Sequence, residues 1–532
     1  MAATGRLWLN GRFLTMDPLC PRAGVLASCG PRLVYVGDDR SKAVSLMPPK
    51  HETCDLQGAG VIPGLIDSHA HVLHEGLRLG QLDLHGLSRR EAAEKVASLA
   101  GTLAPGVWIH GRGWDQNIWA DRSWPTAEEL DKAAPFNPVV LDRVDKHSIW
   151  VNSLALDRAD PKVQGPAPEG GEILRRPDGG LLGILIGQAM FLVYKNMPPL
   201  DGRDRLATQT AAQEELLSLG LTTVMDCATS DEDLKVLAAA YGAGQLKLRY
   251  RAYIHPLRWR DWDLLKPADG LFGGRLAVDG LKLFSDGSLG SRSAWLLDEY
   301  ADRSGHFGSH NYDDQGLIEM LKLAKSRRLQ VAIHVIGDAA VAQAVRCMAG
   351  VLGPECPERH WRLEHCQVVT ETDRDRILEL GLIPSVQSAG LMTDLLMAED
   401  RLGPVRLQRA YAWREFIDRG GYIINGSDCP VETANPFHGI YAAVTRQKLD
   451  GQPPEGFLPA HRLSRWEALA GYTSWGALAA FQEKNIGTLK AGAFCDLAVL
   501  DRDVMTCSEP DLSRIKVLKT VIGGETVFDG GF

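Results

Sequence analysis

The chain is expected to fold as an α/β protein: a (β/α)8 TIM barrel with a small β-sandwich built from both termini and an inserted cap subdomain. Three observations lead there. Eight short apolar runs alternate with helix-compatible stretches, short alternating segments occupy both chain ends, and one connection is far too long for a loop.

Taken in order, residues 1–60 open with Leu7-Trp-Leu-Asn-Gly-Arg-Phe-Leu and Arg32-Leu-Val-Tyr-Val-Gly-Asp, which read as antiparallel strands between turn signals. The chain end repeats that texture in Asp496-Leu-Ala-Val-Leu-Asp and Val517-Leu-Lys-Thr-Val-Ile, so 1–60 and 484–532 are expected to share one sandwich. Residues 61–483 supply the barrel, with strands expected at 61–67, 221–226, 248–254, 280–284, 330–335, 361–366, 382–387 and 422–427. Between the first and second strands, residues 75–208 exceed any simple connection and are expected to form a Trp- and Gly-rich cap over the barrel mouth.

Composition bounds the function. Of 532 residues, 45% are hydrophobic and 23% charged, which suits an ordinary globular protein with a sizeable core. A formal net charge of −9 argues against a nucleic-acid partner, and no apolar run reaches the roughly 18 residues of a membrane span. The first residues lack a secretory pattern and the ten cysteines lack CxxC pairing, so the expected location is the cytoplasm, with reduced thiols. The partner is expected to be a small-molecule substrate, with homo-oligomerisation left open.

The chemistry lies at the expected strand ends. Val61-Ile-Pro-Gly-Leu-Ile-Asp-Ser-His-Ala-His places His69 and His71 two residues apart, and in extended backbone such residues share one side. Lys282, His334, His365 and Asp428 finish four further strands. Individually, a strand-end histidine is usually just hydrogen-bonded in place, and an aspartate there usually caps a helix. Together, imidazole nitrogens and a carboxylate suit zinc, with iron or manganese also compatible. Such an ion generates hydroxide near neutral pH, and Asp428 is the expected acceptor of the water's proton. Lys282 fits beside a cation if its neutral amine captures carbon dioxide as an anionic carbamate.

At this point the residues resemble the amidohydrolase superfamily, in the branch called amidohydrolase family 3, or YtcJ-like, which includes N-substituted formamide deformylase. The motifs span the chain: Pro63-Gly-Leu-Ile-Asp-Ser-His-Ala-His, Gly111-Arg-Gly-Trp-Asp, His147-Ser-Ile-Trp-Val-Asn-Ser, Lys282-Leu-Phe-Ser-Asp-Gly-Ser-Leu-Gly-Ser-Arg, His334-Val-Ile-Gly-Asp, Glu364-His-Cys-Gln and Gly426-Ser-Asp-Cys-Pro-Val-Glu. The resemblance implies that His69 and His71 hold a first metal with Asp428, that His334 and His365 hold a second, and that carboxylated Lys282 bridges them. It implies hydrolysis of a non-peptide carbon–nitrogen bond in an N-formyl, N-acyl or cyclic amide. One position departs, since Gln387-Ser-Ala-Gly puts Gly390 where relatives usually carry a histidine.

Substrate contacts are expected from Trp114 and His147 of the cap and from Arg292, which could meet a carboxylate. Two other functions fit less well. A mononuclear deaminase would have no use for Lys282 and would carry a glutamate shortly after His334, where Val335-Ile-Gly-Asp stands. A non-catalytic scaffold would have lost ligands, and here every ligand type is present.

Overall fold

The computed structural model describes residues 5–144, 148–168, 171–256, 268–395 and 397–531. Eight parallel strands form the central sheet: Leu65–Ala70 (β1), Leu221–Thr229 (β2), Arg249–Ile254 (β3), Leu276–Phe284 (β4), Gln330–Val335 (β5), Arg362–His365 (β6), Ile383–Val386 (β7) and Ile424–Asn425 (β8). They pair in sequential order, and short segments after β1 and β8 close the ring. Asp428 N donates to His69 O at 2.7 Å and His71 N to Cys429 O at 3.0 Å. The Asp67 carboxylate reinforces the seam by accepting from Ser427 N at 3.0 Å and Ser427 Oγ at 2.6 Å. Gly426 allows the approach, because a Cβ there would lie 2.4 Å from His69 N.

The strands read almost continuously apolar because a parallel sheet is buried on both faces. Tyr250, Ala252 and Ile254 of β3 and Val331, Ile333 and Val335 of β5 face a shell that includes Leu317 and Leu321 of the helix Asp314–Ser326 and Val341, Ala344 and Met348 of the helix Asp338–Leu352. Burying each such side chain stabilises the fold by about 1.5–3 kcal/mol before the loss of chain entropy is counted.

Both chain ends build two further sheets. One has the order Arg32–Gly37, Val25–Cys29, Gly5–Leu9, His51–Asp55; the other runs Glu525–Asp529, Val517–Ile522, Leu497–Leu500, Gly60–Pro63, Arg12–Leu14, Arg22–Ala23. The antiparallel register Leu497↔Pro63 to Leu500↔Gly60 ties the chain ends together around Trp8, Phe13, Leu33, Val61 and Leu497. The expected strand 61–67 is therefore two strands. Gly60–Pro63 belongs to this terminal sheet and Leu65–Ala70 to the barrel, with Gly64 between them at a spot where a Cβ would meet Thr222 Oγ1 at 2.3 Å. A continuous apolar run hides such a change of sheet, because both halves are buried.

Residues 76–204 form a second compact unit. Its sheet has the order Gly171–Arg175, Leu181–Gly187, Ser148–Val151, Val139–Arg143, Ile109–Trp114, Leu82–Asp83. Trp114, Trp119 and Trp150 pack in one of its cores with ring centroids 6.0–6.2 Å apart. Among the described residues, no helix is long and apolar enough to cross a membrane.

Candidate metal centre and active site

β1, β4, β5, β6 and β8 deliver their terminal residues to one cleft of about 380 Å³, lined by His71, Lys282, His334, His365 and Asp428 among others. His69 lies directly beneath, fully buried, and the whole group is organised around its ring. Its Nδ1 pairs with Glu364 Oε2 at 2.5 Å, which directs Nε2 toward Lys282 Nζ at 3.1 Å and Asp428 Oδ1 at 3.5 Å. His71 Nε2 lies 2.9 Å from the same Asp428 oxygen, and the His69 and His71 rings stand 5.4 Å apart. His365 completes the group, with its ring centroid 5.1 Å from His69 and 4.4 Å from His334.

Glu364 and His365 are adjacent, so a regular strand would send them to opposite faces. Both nevertheless reach His69. The conflict is resolved because β6 ends at His365, where φ is 74°, followed by Cys366 at 44°. Asp428 also lies in the left-handed region, at φ 57°. Such conformations are uncommon for non-glycine residues and persist where the surroundings hold them in place.

The electrostatics follow from burial. Desolvation lowers the His69 pKa to about 4, helped by Lys282 and opposed by Glu364. His365 falls to about 3 and His334 well below the usual imidazole range, again chiefly by burial. Neutral imidazoles are the form that binds a metal. Burial pushes the Asp428 carboxyl up, but His69, His71 and His365 outweigh it and hold the group well below the usual carboxylate range. Glu364 behaves alike, with burial overcome by Arg362 and His69. Arg362 is itself fully buried and donates to Glu364 Oε1 at 2.8 Å and to Ser68 O at 2.5 Å.

The donor set fits a first-row divalent ion. Ligand atoms of His69, His365 and Asp428 lie within 4.8 Å of one another, a spread that bonds of about 2.0–2.2 Å draw together. Lys282 is 1% exposed, and among the described residues no carboxylate oxygen lies within 4.0 Å of its Nζ. Its Nζ stands 3.1 Å from His69 Nε2, and the Glu364 carboxylate feels its charge.

The six residues expected at the metal site thus meet at one place. Two of the expected substrate contacts are engaged by other neighbours. Trp114 is fully buried in the core of the 76–204 unit, with its Nε1 donating to Leu141 O at 2.7 Å, so it is a packing residue. Arg292 is committed to Asp302 through bonds of 3.0 and 2.8 Å. His147 lies outside the described residues. Glu364 is the residue at the site that sequence reasoning passed over; the signal was Arg362-Leu-Glu, an i, i+2 charge pair inside an expected barrel strand. Gly390 lines the cleft, where a Cβ would make only ordinary contact with Glu432 at 3.7 Å.

Fold and site together define a metal-dependent hydrolase. The model of the amidohydrolase family matches residues 52–528, and the chain belongs to that family. It is 30% identical over 492 residues to amidohydrolase YtcJ of Bacillus subtilis, covering 90% of this chain and 91% of that one. Similarity to the N-substituted formamide deformylase of Arthrobacter pascens is 25% over 540 residues, covering 97% of each chain. The crystal structure of a metal-dependent hydrolase from Pyrococcus furiosus superposes with a TM-score of 0.79 at 30% identity, covering 94% of this chain and 100% of that one.

Proposed function

We propose that this enzyme hydrolyses a carbon–nitrogen bond other than a peptide bond in a small molecule, in a non-peptide amide of the N-formyl, N-acyl or cyclic type. The observation that carries the reading is the convergence of His69, His71, Lys282, His334, His365 and Asp428 from five strand ends on a cleft of small-molecule size. The N-formyl branch is supported by the similarity to N-substituted formamide deformylase. We further assign zinc to the site, with iron or manganese compatible with the same donors, and a carbamate to Lys282. Ten unpaired thiols, six of them buried, suit the reducing cytoplasm.

The bound ion supplies a water acidified to a pKa of about 7 and a polarised carbonyl. The rest falls to the chain's own side chains. Asp428, held as a carboxylate by three surrounding imidazoles, receives the water's proton and returns it to the leaving nitrogen. His71 Nε2, at 2.9 Å, orients that carboxylate. Glu364 fixes the His69 tautomer, as a hydrogen-bonded carboxylate does for a ligating imidazole. Addition of the neutral Lys282 amine to carbon dioxide, with loss of one proton, would give an anion beside His69 Nε2.

The test is a panel of N-formyl, N-acyl and cyclic amides, carbamates and simple esters, assayed with elemental analysis before and after chelation. One to two equivalents of metal and amide turnover that disappears with the metal are expected. Full activity in metal-free protein refutes the reading.

A further inference from the structure

The cleft carries a second set of polar groups that hydrolysis does not use. Asp394, which ends the short helix Leu391–Asp394, lines it together with Gln367 after β6 and Gln387 after β7. Asp394 Oδ2 accepts from Gln367 Nε2 at 2.9 Å and from Tyr411 Oη at 3.0 Å. Tyr411 N in turn donates to Gln367 O at 2.7 Å, so the three residues hold one another. Asp394 Oδ1 has no hydrogen-bond partner among the described residues.

Two further atoms stand unsatisfied. The bond from Gln367 Nε2 sets that amide's orientation and leaves Oε1 as a buried acceptor without a partner. Gln387 is 9% exposed and its Nε2 is a buried donor without a partner. A buried group left unpaired is costly, so such atoms mark a place where a ligand completes the bonding.

Charge identifies the ligand. Both donors to Asp394 are neutral, so its carboxylate has no counter-charge, and burial pushes its pKa up to about 6. Histidines aside, Lys282 is the one basic residue among the described lining residues, and its Nζ lies 3.1 Å from His69 Nε2. A second carboxylate, Glu432, lines the same cleft. The geometry points to Asp394 as the specificity-determining residue: its Oδ1 binds a positively charged, N–H-bearing nitrogen that the substrate carries beyond the scissile bond. Gln367 Oε1 is the second acceptor for that group, and Gln387 Nε2 offers a donor to a substrate oxygen. The inference rests on the hydrolytic reading of the cleft and narrows its substrates to amides with a basic far end.

The test reads binding. Three sulfonamide analogues that resist hydrolysis, identical except for a far end that is ammonium, methyl or carboxylate, are titrated calorimetrically into metal-loaded protein. The ammonium compound should bind tightest, by at least about tenfold over methyl, which corresponds to one charge-assisted hydrogen bond. Asp394→Asn should erase that ratio, whereas Tyr411→Phe, which removes a neutral donor and keeps the charge, should preserve it. Equal binding of the methyl or carboxylate compound by wild type overturns the assignment, as does an ammonium preference that survives in a folded Asp394→Asn protein. Should that variant not fold, the wild-type ratio decides. Because no turnover is needed, a wild type that hydrolyses no amide refutes the hydrolytic reading while the ratio still reports on Asp394.

Discussion

Two histidine–carboxylate pairs, one in the 76–204 unit and one in the barrel, start from similar parts and end differently. His110 Nε2 meets Asp142 Oδ2 at 2.9 Å from the neighbouring parallel strand, and Gln81 Nε2 stands 3.2 Å from its Nδ1. Tyr194 bonds the other Asp142 oxygen. Both ring nitrogens and both carboxylate oxygens there are engaged by their neighbours. His69 likewise gives Nδ1 to a carboxylate, but Glu364 reaches it from β6 across the barrel interior, and Nε2 opens onto Lys282 and Asp428. In the open sheet the partners come from the adjacent strand and from nearby segments of the same unit. A closed barrel adds those from strands far apart in the sheet, and leaves the other ring nitrogen facing Lys282 and Asp428.

The sharpest way to break this contrast is to remove proton transfer and keep the donors. Asp428→Asn should lower kcat by about 10²–10⁴-fold with metal content largely retained, because the amide still donates an oxygen but accepts no proton; stopped assays with elemental analysis check it, and turnover within about tenfold of wild type counts against the role.

Lys282→Ala should lose one metal equivalent and most activity, with partial recovery in acetate or propionate, whereas an ammonium with a merely structural role could not be replaced by an anion. Glu364→Gln should weaken metal binding by about 10–100-fold, read by chelator competition, since His69 loses the anion that fixes its tautomer. Removing that charge also leaves Arg362 buried without its ion pair, so a lower thermal midpoint should accompany the loss. In contrast, His110→Ala should keep the full metal complement and cost about 1 kcal/mol of stability, measured by denaturant unfolding.

The smallest effect concerns pH. Burial raises the Asp394 carboxyl from 3.8 to about 6, so the folded chain holds a proton that the unfolded chain releases. The stability it contributes is present below 3.8 and is lost as pH rises toward 6. Calorimetric midpoints of Asp394→Asn should therefore change less between about pH 4 and 6 than those of wild type.

Much of this was legible from sequence because it depends on local pattern. Buried parallel strands read as apolar runs, and the strand expected at 330–335 is found at Gln330–Val335. The expected donors stand out because five such runs end in metal-binding residue types together, whereas each alone has an ordinary structural use. Less legible was anything that depends on what a residue meets. Trp114 and Arg292 have the chemistry of substrate contacts, but neighbours from their own surroundings already occupy them.

By itself, the sequence determined the element order, the alternation that closes a barrel, and the five strand ends that carry donors, since these follow from periodicity and side-chain chemistry. Only the tertiary structure decided that the run around Gly64 changes sheets, that positive φ at His365 lets it and Glu364 address the same imidazole, and that Asp394 meets only neutral donors. The physical reason is distance along the chain. Glu364 and His69 are 295 residues apart, and no periodicity spans that separation; closure of the barrel brings them to 2.5 Å.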